Sequence, residues 1–482
     1  MHSHPPAACG ERERNFAAQP LGGAGDENDR LNGLGSHRAG WRGSLQLPGR
    51  MALGPSDVMV TIGPTIMPTF TDVTHMTHSF ILTTELSAHI AKAIDAAGGW
   101  LGFDQFMALA LYTPQLGYYA NDSRKFGLMP AGVKGGGSDF VTAPELSPRF
   151  GWALARQVAQ ALQASGAAEV WEFGAGSGAL ALQLLDTLGP LVERYTIVDL
   201  SGSLRERQRE RLAVHAGKVH WASELPAKMQ GVVLGNEVLD AMPVKLLNRL
   251  GGVWHERGVV MTPTLSTSSE ALPLKGGRVP QRPVRRETHH GRFTYADRPT
   301  ELRPPLRVEG THDYLTEIHP QGEGFIRTLA DRLETGAVFL LDYGFPEHEY
   351  YHPQRSMGTL MCHRGHLADA DALADVGSKD ITAHVNFTGI ALAGQAAGLP
   401  VAGYTSQGRF LLNCGLLDDM DGMDDLQSST LAERALVQKL VNEHEMGELF
   451  KVIAFATEDV RSADGSAWQP LGFTVGDRTH KL

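Results

Sequence analysis

The fold is decided by the stretch Val170-Trp171-Glu172-Phe173-Gly174-Ala175-Gly176-Ser177-Gly178. Residues 169–173 have the apolar character of a short buried strand, and residues 179–188 have the apolar spacing of a helix. Glycines at alternate positions join the two, so a ligand can approach bare backbone while the helix amino terminus offers N–H donors. This stretch therefore predicts a strand–turn–helix unit that binds a ligand where the strand ends.

The length and composition exclude several classes of protein. The 482 residues are 42% hydrophobic and 20% charged, which is typical of a globular chain. A formal net charge of −11 leaves no basic excess for a nucleic-acid partner. Cys9, Cys362 and Cys414 lie far apart and predict neither a disulfide framework nor a thiolate zinc site. No apolar run approaches the ~18–20 residues that a membrane span needs. We expect a cytoplasmic protein, or a mitochondrial-matrix protein if the chain is eukaryotic.

Segments of strand and helix character alternate along most of the chain. Strands are predicted at 169–173, 195–200, 218–222, 231–235, 314–319, 337–343, 401–404 and 450–456. Helices are predicted at 86–94, 103–110, 150–163, 179–188, 204–215, 323–333, 387–397 and 431–442. Because βαβ crossovers bring strands together in parallel, this alternation predicts an α/β fold with a doubly wound sheet and ligands at the carboxyl ends of its strands.

Changes in composition divide the chain into six segments. We expect a disordered N-terminal extension at 1–80, a helical lid and cofactor-loop segment at 81–150, a Rossmann-like core at 151–243, an insertion at 244–320, the rest of the core with substrate-side helices at 321–457, and a C-terminal tail at 458–482. The insertion follows the fourth strand and holds a predicted hairpin, 244–250 and 253–261. Its remainder, 262–307, is rich in Arg and Pro with poor periodicity, which indicates a solvated surface loop or a docking patch for an acidic partner.

The glycine loop leaves two classes of cofactor open. The dinucleotide fingerprint G-x-G-x-x-G/A can be threaded through Gly174, Gly176 and Ala179. The loop resembles more closely the E-x-G-x-G-x-G loop of class I S-adenosylmethionine methyltransferases, in which Glu172 is the acid. Asp199, about 20 residues further on, could bind a ribose diol in either class, or could cap the helix that follows.

The end of the fourth strand favours a methyltransferase. The residues from Gly235 to Pro243 lie over the same crevice and include Asn236, Glu237 and Asp240. On a helical turn the two carboxylates, three residues apart, share a face. They could bind a guanidinium by charge-assisted hydrogen bonds and leave one nitrogen lone pair free to react. The alternative is that Asn236 and Glu237 only cap a helix.

Six motifs, taken in order, resemble one family. They are Asp139-Phe140-Val141-Thr142-Ala143-Pro144-Glu145-Leu146-Ser147, the loop Glu172–Gly178, Asn236-Glu237-Val238-Leu239-Asp240-Ala241-Met242-Pro243-Val244, Leu341-Asp342-Tyr343-Gly344, Asp380-Ile381-Thr382-Ala383-His384-Val385-Asn386-Phe387 and Thr405-Ser406-Gln407-Gly408. Together they resemble the MidA-like proteins, which are related to mitochondrial complex I assembly factor seven and have the class I methyltransferase fold. The resemblance runs from about residue 82 to residue 456.

The resemblance implies a reaction and a set of residue roles. It implies S-adenosyl-L-methionine as cofactor, an arginine of a protein as methyl acceptor and a respiratory complex I subunit as one candidate partner. The implied catalytic residues are Glu237 and Asp240. The implied cofactor-binding residues are Thr142, Glu145, Glu172, Gly174, Ala175, Gly176, Gly178, Asp199, Leu200 and Asn236. The sequence departs from the family pattern at Ser138, at Asn386 and in the length of 262–307, which bears on the substrate more than on the cofactor.

Other features each have two interpretations. The loop 112–148, with Tyr118, Tyr119, Phe126, Phe140 and Thr142, could close over the pocket and exclude water. Cys362, His363 and His366 could bind a metal, but solvated or hydrogen-bonded side chains are favoured and no metal is predicted. His384 could face the cleft or be a structural histidine. A methyltransferase-fold assembly factor without turnover is the alternative function. A dimer is one option for the oligomeric state, which the sequence does not fix.

Overall fold

A large central sheet organises the protein. The computed structural model describes residues 84–121, 142–199, 202–263, 291–364, 367–418, 428–462 and 464–482. The strands are β1 (Leu101–Gly102), β2 (Glu169–Phe173), β3 (Arg194–Val198), β4 (Val219–Ala222), β5 (Met229–Asn236), β6 (Lys245–Leu250), β7 (Val253–Pro263), β8 (Gly291–Pro299), β9 (Tyr314–Ile318), β10 (Leu333–Phe345), β11 (Met361–Arg364), β12 (Leu367–Asp369), β13 (Asp380–Thr382), β14 (Val385–Asn386), β15 (Val401–Ser406) and β16 (Phe450–Ala456). The helices are α1 (84–96), α2 (Phe103–Tyr112), α3 (Ala143–Leu146), α4 (Pro148–Ser165), α5 (Ala179–Leu188), α6 (Gly202–Arg211), α7 (Pro320–Arg332), α8 (Glu347–Tyr350), α9 (Phe387–Ala396), α10 (Gln407–Asn413), α11 (Ser428–Val441) and α12 (Met446–Leu449).

The strand order of the central sheet confirms the predicted fold class. Its main path runs β15-β16-β10-β5-β2-β3-β4, with β14 beside the end of β10. The five strands from β4 to β10 pair in parallel, in the doubly wound order 3-2-1-4-5. Strand β16 runs antiparallel to both β10 and β15, a departure from the 3-2-1-4-5-6 order of the dinucleotide-binding fold. This arrangement agrees with the class I methyltransferase fold that the sequence resemblance implies.

Both faces of the sheet are buried, as a parallel sheet requires. Val232 and Leu234 of β5 join a core cluster with α4 and α5 on one face. Val233 joins a second cluster with α7 and α9 on the other face. Successive side chains of a strand point to opposite faces, which explains why the apolar run of β5 is continuous.

The strand register brings the predicted site residues to one edge. Phe173, the last residue of β2, is level with Val198 of β3 and with Gly235 of β5. Asn236 is level with Leu341 of β10. The glycine loop, Asp199, the residues after Asn236 and Asp342 therefore all emerge at the carboxyl edge of the sheet, where ligands bind in this class of fold.

The insertion after β5 forms a separate antiparallel sheet. The predicted hairpin is confirmed as β6 and β7, and the sheet runs β1-β7-β6-β9 with β8 paired to β7. The expectation that 262–307 lacks regular structure is wrong for β8, which pairs with β7 along its whole length; residues 264–290 lie outside the described part of the chain. The strand expected at 314–319 is β9, and it belongs to this sheet instead of the central one.

The first two helices pack on the insertion and on a small third sheet, β12-β11-β13. Leu86 and Ile90 of α1, Phe106 of α2, Val259 of β7 and Ile381 of β13 share one buried cluster. This packing places the segment after α2 beside β13. The strands β1 and β11 to β14 were not predicted, because each is too short for its periodicity to be visible.

The structure describes the predicted C-terminal tail but not the predicted N-terminal extension. The C-terminal tail packs against the core: Phe473 is buried, and the N–H of Gly472 donates to Oε1 of Gln157 on α4 at 2.8 Å. The extension at 1–80 and the position of Ser138 lie outside the described residues. Within the described ranges, none of the helices has the length and apolar character needed to cross a membrane.

Candidate active site

A cavity of about 820 Å³ lies at the carboxyl edge of the central sheet. The predicted residues that line it are Thr142, Glu172, Gly174, Ala175, Gly176, Asp199, Asn236, Glu237 and Asp240. Leu200, which was predicted to contact the cofactor, lies outside the described residues, as do Phe126 and Phe140 of the predicted lid. Residues from the ends of β2, β3 and β5 therefore converge on one space, as the sequence predicted.

The glycine loop turns sharply between β2 and α5. Gly174, Gly176 and Gly178 have φ angles of +62°, +52° and +80°, which side chains rarely adopt. A Cβ on Gly174 would lie 3.2 Å from Cγ2 of Val238, in the turn that follows β5. Gly178 is the N-cap of α5 and packs beside Gln208 instead of lining the cavity. The loop thus exposes backbone to the cavity at Gly174 and Gly176.

Glu172, the last acid of β2, is buried at the base of the loop. The hydroxyl of Tyr195 donates to its Oε2 at 2.7 Å. Burial raises the pKa of Glu172 to about 7; the hydrogen bond from Tyr195 opposes this rise, and the nearby carboxylate of Asp199 adds to it. A carboxyl with this pKa can bind a ligand either as a proton donor or as an anion near neutral pH.

Asp199, at the end of β3, is oriented by a glutamine that the sequence analysis missed. Nε2 of Gln208 lies 2.9 Å from Oδ2 of Asp199 and 3.0 Å from the carbonyl oxygen of Gly176. The Trp221 Nε1–H donates to Oε1 of Gln208 at 2.9 Å. Gln208 is completely buried on a helix of otherwise strongly charged sequence, and it ties the glycine loop to the acid of β3.

Glu145 lies behind the glycine loop instead of lining the cavity. Its carboxylate accepts a hydrogen bond from the hydroxyl of Ser177 and forms an ion pair with Arg211 of α6 at 2.8 Å. Arg211 also donates to the Ser177 hydroxyl at 2.6 Å. These contacts join α3, the loop and α6, so Glu145 is placed to hold the loop. Direct contact of Glu145 with the cofactor stays a prediction.

Residues 237–242 form an irregular turn, so the expected helical turn is wrong, and there is no helix here for Asn236 or Glu237 to cap. The turn is organised by Asp342 of β10, whose Oδ2 accepts the N–H groups of Val238 and Leu239 at 3.1 and 2.9 Å. Glu237 has a φ of +56°, a strained conformation for a residue with a side chain. The turn still directs both predicted carboxyls to the cavity.

Burial destabilises the charged forms of the two carboxyls in the turn, Glu237 and Asp240. Burial raises the pKa of Glu237 to about 8, the neighbouring Asp240 adds to this, and a hydrogen bond from Asn236 Nδ2 at 3.1 Å opposes it. Burial also raises the pKa of Asp240 to about 6, against a hydrogen bond from Tyr343. A positively charged ligand would stabilise the charged forms and lower both pKa values.

The cavity lining also includes an acid whose role the sequence analysis did not assign. Asp380, the first residue of β13, is buried and lines the cavity. The hydroxyl of Tyr119 donates to its Oδ2 at 2.9 Å. The Tyr119 ring stacks on that of Tyr112, with 5.7 Å between the ring centroids. The resemblance motif beginning at Asp380 was the available signal, but β13 is too short to indicate where its side chains lie.

The cysteine and histidines considered for a metal are dispersed. Cys362 is buried in the cluster of α1 and α2, where burial raises its thiol pKa to about 12, whereas His363 lines the cavity. His366 lies outside the described residues, and among those that are described no three His, Cys, Asp or Glu side chains are arranged so that they could hold a metal ion. His384 stacks on Phe345 at 5.3 Å between centroids, and burial lowers its pKa to about 4.

Comparison with known proteins identifies the family. Residues 153–405 match the family described as S-adenosyl-L-methionine-dependent methyltransferases. A crystal structure of a superfamily member from Burkholderia thailandensis, bound to S-adenosyl-homocysteine, is 43% identical, with a TM-score of 0.73 over 84% of this chain and 98% of that one. This chain belongs to the S-adenosyl-L-methionine-dependent methyltransferase family. The methyltransferase is an enzyme whose cofactor is S-adenosyl-L-methionine, so the dinucleotide interpretation of the glycine loop is wrong.

Curated relatives of the methyltransferase support the narrower resemblance. The protein from Danio rerio named "Protein arginine methyltransferase NDUFAF7, mitochondrial" is 25% identical over 403 residues, 75% of this chain and 85% of that protein. The protein of the same name from Bos taurus is 24% identical over 410 residues, 77% and 83% of the two chains. The resemblance to this family is confirmed. These names are mitochondrial, so they do not support the cytoplasmic location expected from the sequence.

The residues of the methyltransferase cavity fit this cofactor. The volume is in the range of about 300–1,000 Å³ that small-molecule sites occupy. The exposed backbone of Gly174 and Gly176 allows close approach, and buried acids end β2 and β3. In the described part of the lining there is no Lys or Arg, which suits a cofactor whose reactive end is a cation. When bound, S-adenosyl-L-methionine supplies an electrophilic methyl group carried on a sulfonium.

Proposed function

We propose that the enzyme methylates an arginine side chain of a protein. The observation that carries this proposal is the convergence of Glu237 and Asp240 on the cavity, one strand away from the glycine loop. Asp240 is buried and Glu237 is half-buried, and both have raised pKa values. Two such carboxyls attract a cation that can form several hydrogen bonds, and a guanidinium has five N–H donors. The names of the curated relatives from Danio rerio and Bos taurus support the same acceptor.

The residues beside the glycine loop are proposed to hold the cofactor. The backbone of Gly174, Ala175 and Gly176 would lie against the methionine and ribose portions, with Gly178 starting the helix behind them. Glu172 would bind the amino or ribose end, and Asp199 the ribose hydroxyls. Asn236 and Thr142 line the same space and would complete the contacts. Gln208 would keep Asp199 in the position that a ribose diol requires.

Glu237 and Asp240 are proposed to bind and orient the acceptor. Each carboxylate would accept N–H groups of the guanidinium, which fixes the reacting nitrogen toward the methyl group. As the nitrogen forms its bond to the methyl carbon and the carbon–sulfur bond breaks, the acceptor gains positive charge and must release one proton. The Glu237 carboxylate, which would accept an N–H of the reacting guanidinium, would be the group that takes up that proton. The rings of Tyr112, Tyr119 and Phe450 would exclude water from the reacting centre.

The acceptor protein itself stays a prediction. The sequence resemblance implies a respiratory complex I subunit as one candidate partner, and the described surface adds nothing that selects it. The acid-lined cavity supports an arginine presented on an accessible segment of the partner, because the side chain must enter the cavity to contact Glu237 and Asp240. A dimer is likewise left as a prediction.

The proposal is tested by mapping methylarginine in a strain that lacks this protein and in its parent. Extract from the deletion strain is then incubated with methyl-labelled cofactor and either the purified enzyme or its Glu237→Gln variant. We expect at least one arginine to be methylated in the parent, to be unmethylated in the deletion strain, and to be restored only by the wild-type enzyme. If no arginine site is lost and label enters lysine, carboxyl or small-molecule acceptors, the arginine assignment is wrong.

A further inference from the structure

The carboxyls that line the cavity form two separate groups. Near the glycine loop, the charge of Asp199 is among the causes that raise the pKa of Glu172. Glu237, Asp240 and Asp380 line the same cavity, the backbone of the small sheet that carries Asp380 is hydrogen-bonded to Asp240, and the charges of Asp240 and Asp380 are among the causes that raise the pKa of Glu237. The first group suits the nucleoside end of the cofactor, and the second forms the acceptor subsite.

Asp380 enters the acceptor subsite from outside the methyltransferase core. Its strand, β13, belongs to the small third sheet, whereas Glu237 and Asp240 follow β5 of the central sheet. The backbone N–H of Ala383 donates to the carbonyl oxygen of Asp240 at 3.0 Å, which fixes the small sheet against the turn. Asp380 lines the cavity and is only 3% exposed.

Two stacked tyrosines hold the carboxyl of Asp380 in place. Tyr119 donates its hydroxyl hydrogen to Asp380 Oδ2 at 2.9 Å. Tyr112, which stacks on Tyr119, donates its own hydroxyl hydrogen to the carbonyl oxygen of Ala241 at 2.8 Å. Both rings line the cavity. The acceptor subsite thus combines a third carboxyl with an aromatic wall, and both features attract a planar cation.

We propose that Asp380, oriented by Tyr119, is a specificity-determining residue that makes the acceptor subsite select a guanidinium over its neutral isostere. This inference rests on the proposed arginine acceptor. Glu237 and Asp240 approach from one turn, so they can engage one edge of a guanidinium. Asp380 approaches from a different element and can accept N–H groups that the pair leaves unbound. The urea group of citrulline has the same shape but no charge, so it would lose the charge-assisted part of each bond.

The discrimination can be measured without knowing the acceptor protein. Two probes, Nα-acetylarginine amide and Nα-acetylcitrulline amide, are titrated into the full-length enzyme saturated with S-adenosyl-homocysteine, and binding is followed by ligand-observed NMR. The wild type, Asp380→Asn and Tyr119→Phe are compared. The affinity for S-adenosyl-homocysteine and the thermal midpoint of each variant report whether the fold and the cofactor end are intact.

We expect the wild type to prefer the arginine probe and Asp380→Asn to lose about ten- to a hundredfold in affinity for that probe alone. Tyr119→Phe keeps the ring and removes the orienting hydrogen bond, so it should weaken the arginine probe by a smaller factor. An equal loss for both probes, or an unchanged preference in both variants, overturns the role of Asp380. If the wild type itself fails to prefer arginine over citrulline, the proposed arginine acceptor fails instead.

Discussion

The backbone N–H of Asp240, in the turn after β5, donates to Oδ2 of Asp342 in the neighbouring strand β10 at 3.3 Å. The same oxygen accepts the N–H groups of Val238 and Leu239, and Oδ1 accepts the N–H of Tyr343 at 3.0 Å. One buried carboxyl therefore satisfies four backbone donors and fixes the turn that carries Glu237 and Asp240. The position of the proposed catalytic pair depends on a residue of β10 that does not line the cavity.

Asp342→Asn should destabilise the protein and misplace the catalytic pair. An amide has only one acceptor oxygen, so either Tyr343 or the turn loses its partner, at a cost of about 2 kcal/mol in the free energy of unfolding. Denaturant unfolding and initial rates of methyl transfer would measure the two effects. Asp331→Asn, on the exposed side of α7, is the matched control and should change neither. An unchanged rate in Asp342→Asn would contradict the proposed dependence.

Glu237→Gln and Asp240→Asn should separate acceptor binding from cofactor binding. Each change removes one charge-assisted partner of the guanidinium, so kcat/KM for the acceptor should fall about ten- to a hundredfold per substitution. The affinity for S-adenosyl-homocysteine, measured by calorimetry, should stay close to that of the wild type. Glu334→Gln, at an exposed surface ion pair, is the control for loss of an acidic side chain. If the affinity for S-adenosyl-homocysteine fell by a similar factor, both residues would be assigned to cofactor binding instead of acceptor binding.

The pH dependence of activity and of stability should have opposite signs. Because burial raises the pKa of Glu237 to about 8 and of Asp240 to about 6, the guanidinium-binding form increases as pH rises through 6 to 8, and kcat/KM should rise with it. Both folded-state pKa values lie above the ordinary range of carboxyls. Their contribution to stability is therefore complete below that range and is lost as pH rises through 6 and 8.

Glu237→Gln tests this assignment, since it removes the group with the higher pKa. Its free energy of unfolding should fall less between pH 6 and 8 than that of the wild type. Other groups that face the pair are Asp342, Asp380, Tyr343 and Asn236, and Glu237→Gln leaves all of them in place. A pH–stability profile identical to that of the wild type would assign the titration to one of these neighbours.

The central sheet could be predicted because its signals are local. Val170, Trp171 and Phe173 are apolar, residues 179–188 have helical spacing, and glycines occupy the turn between the two segments. Strand propensity, helix periodicity and turn composition therefore all indicate the same structure. Strand β8 had a weaker signal of the same kind. Phe293 and Tyr295 alternate with polar residues, but the surrounding arginines and prolines obscured this pattern.

The positions of the other site residues depend on tertiary contacts, which a periodic pattern in the sequence does not indicate. Gln208 is buried in α6, whose other residues are largely charged, and only the approach of Asp199 and Trp221 gives its amide a role. Asp380 reaches the cavity because α2 and the small sheet pack together. Asp342 was quoted within a motif, but its function is to accept N–H groups from a turn more than 100 residues earlier.

Gly174→Ala should weaken cofactor binding through a close contact, and Gly166→Ala provides a matched control. Both glycines have positive φ, +62° and +67°, so both substitutions should cost about 1–2 kcal/mol in the free energy of unfolding. A Cβ at Gly174 meets Val238 at 3.2 Å in the cavity wall, whereas a Cβ at Gly166 meets nothing within 4 Å. Only Gly174→Ala should also reduce the affinity for S-adenosyl-homocysteine. Equal affinities in the two variants would contradict close approach of the cofactor to this backbone.

Gln208→Leu should weaken cofactor binding without altering any residue that lines the cavity. The change removes the donor shared by Asp199 and the Gly176 carbonyl, so both the ribose-binding acid and the glycine loop lose their orientation. We expect about a tenfold loss of affinity for S-adenosyl-homocysteine. Trp221→Phe is the control, because it removes the hydrogen bond to Gln208 Oε1 and leaves both contacts of Nε2. Equal losses in the two variants would indicate general loosening around α6 instead of a specific orienting role.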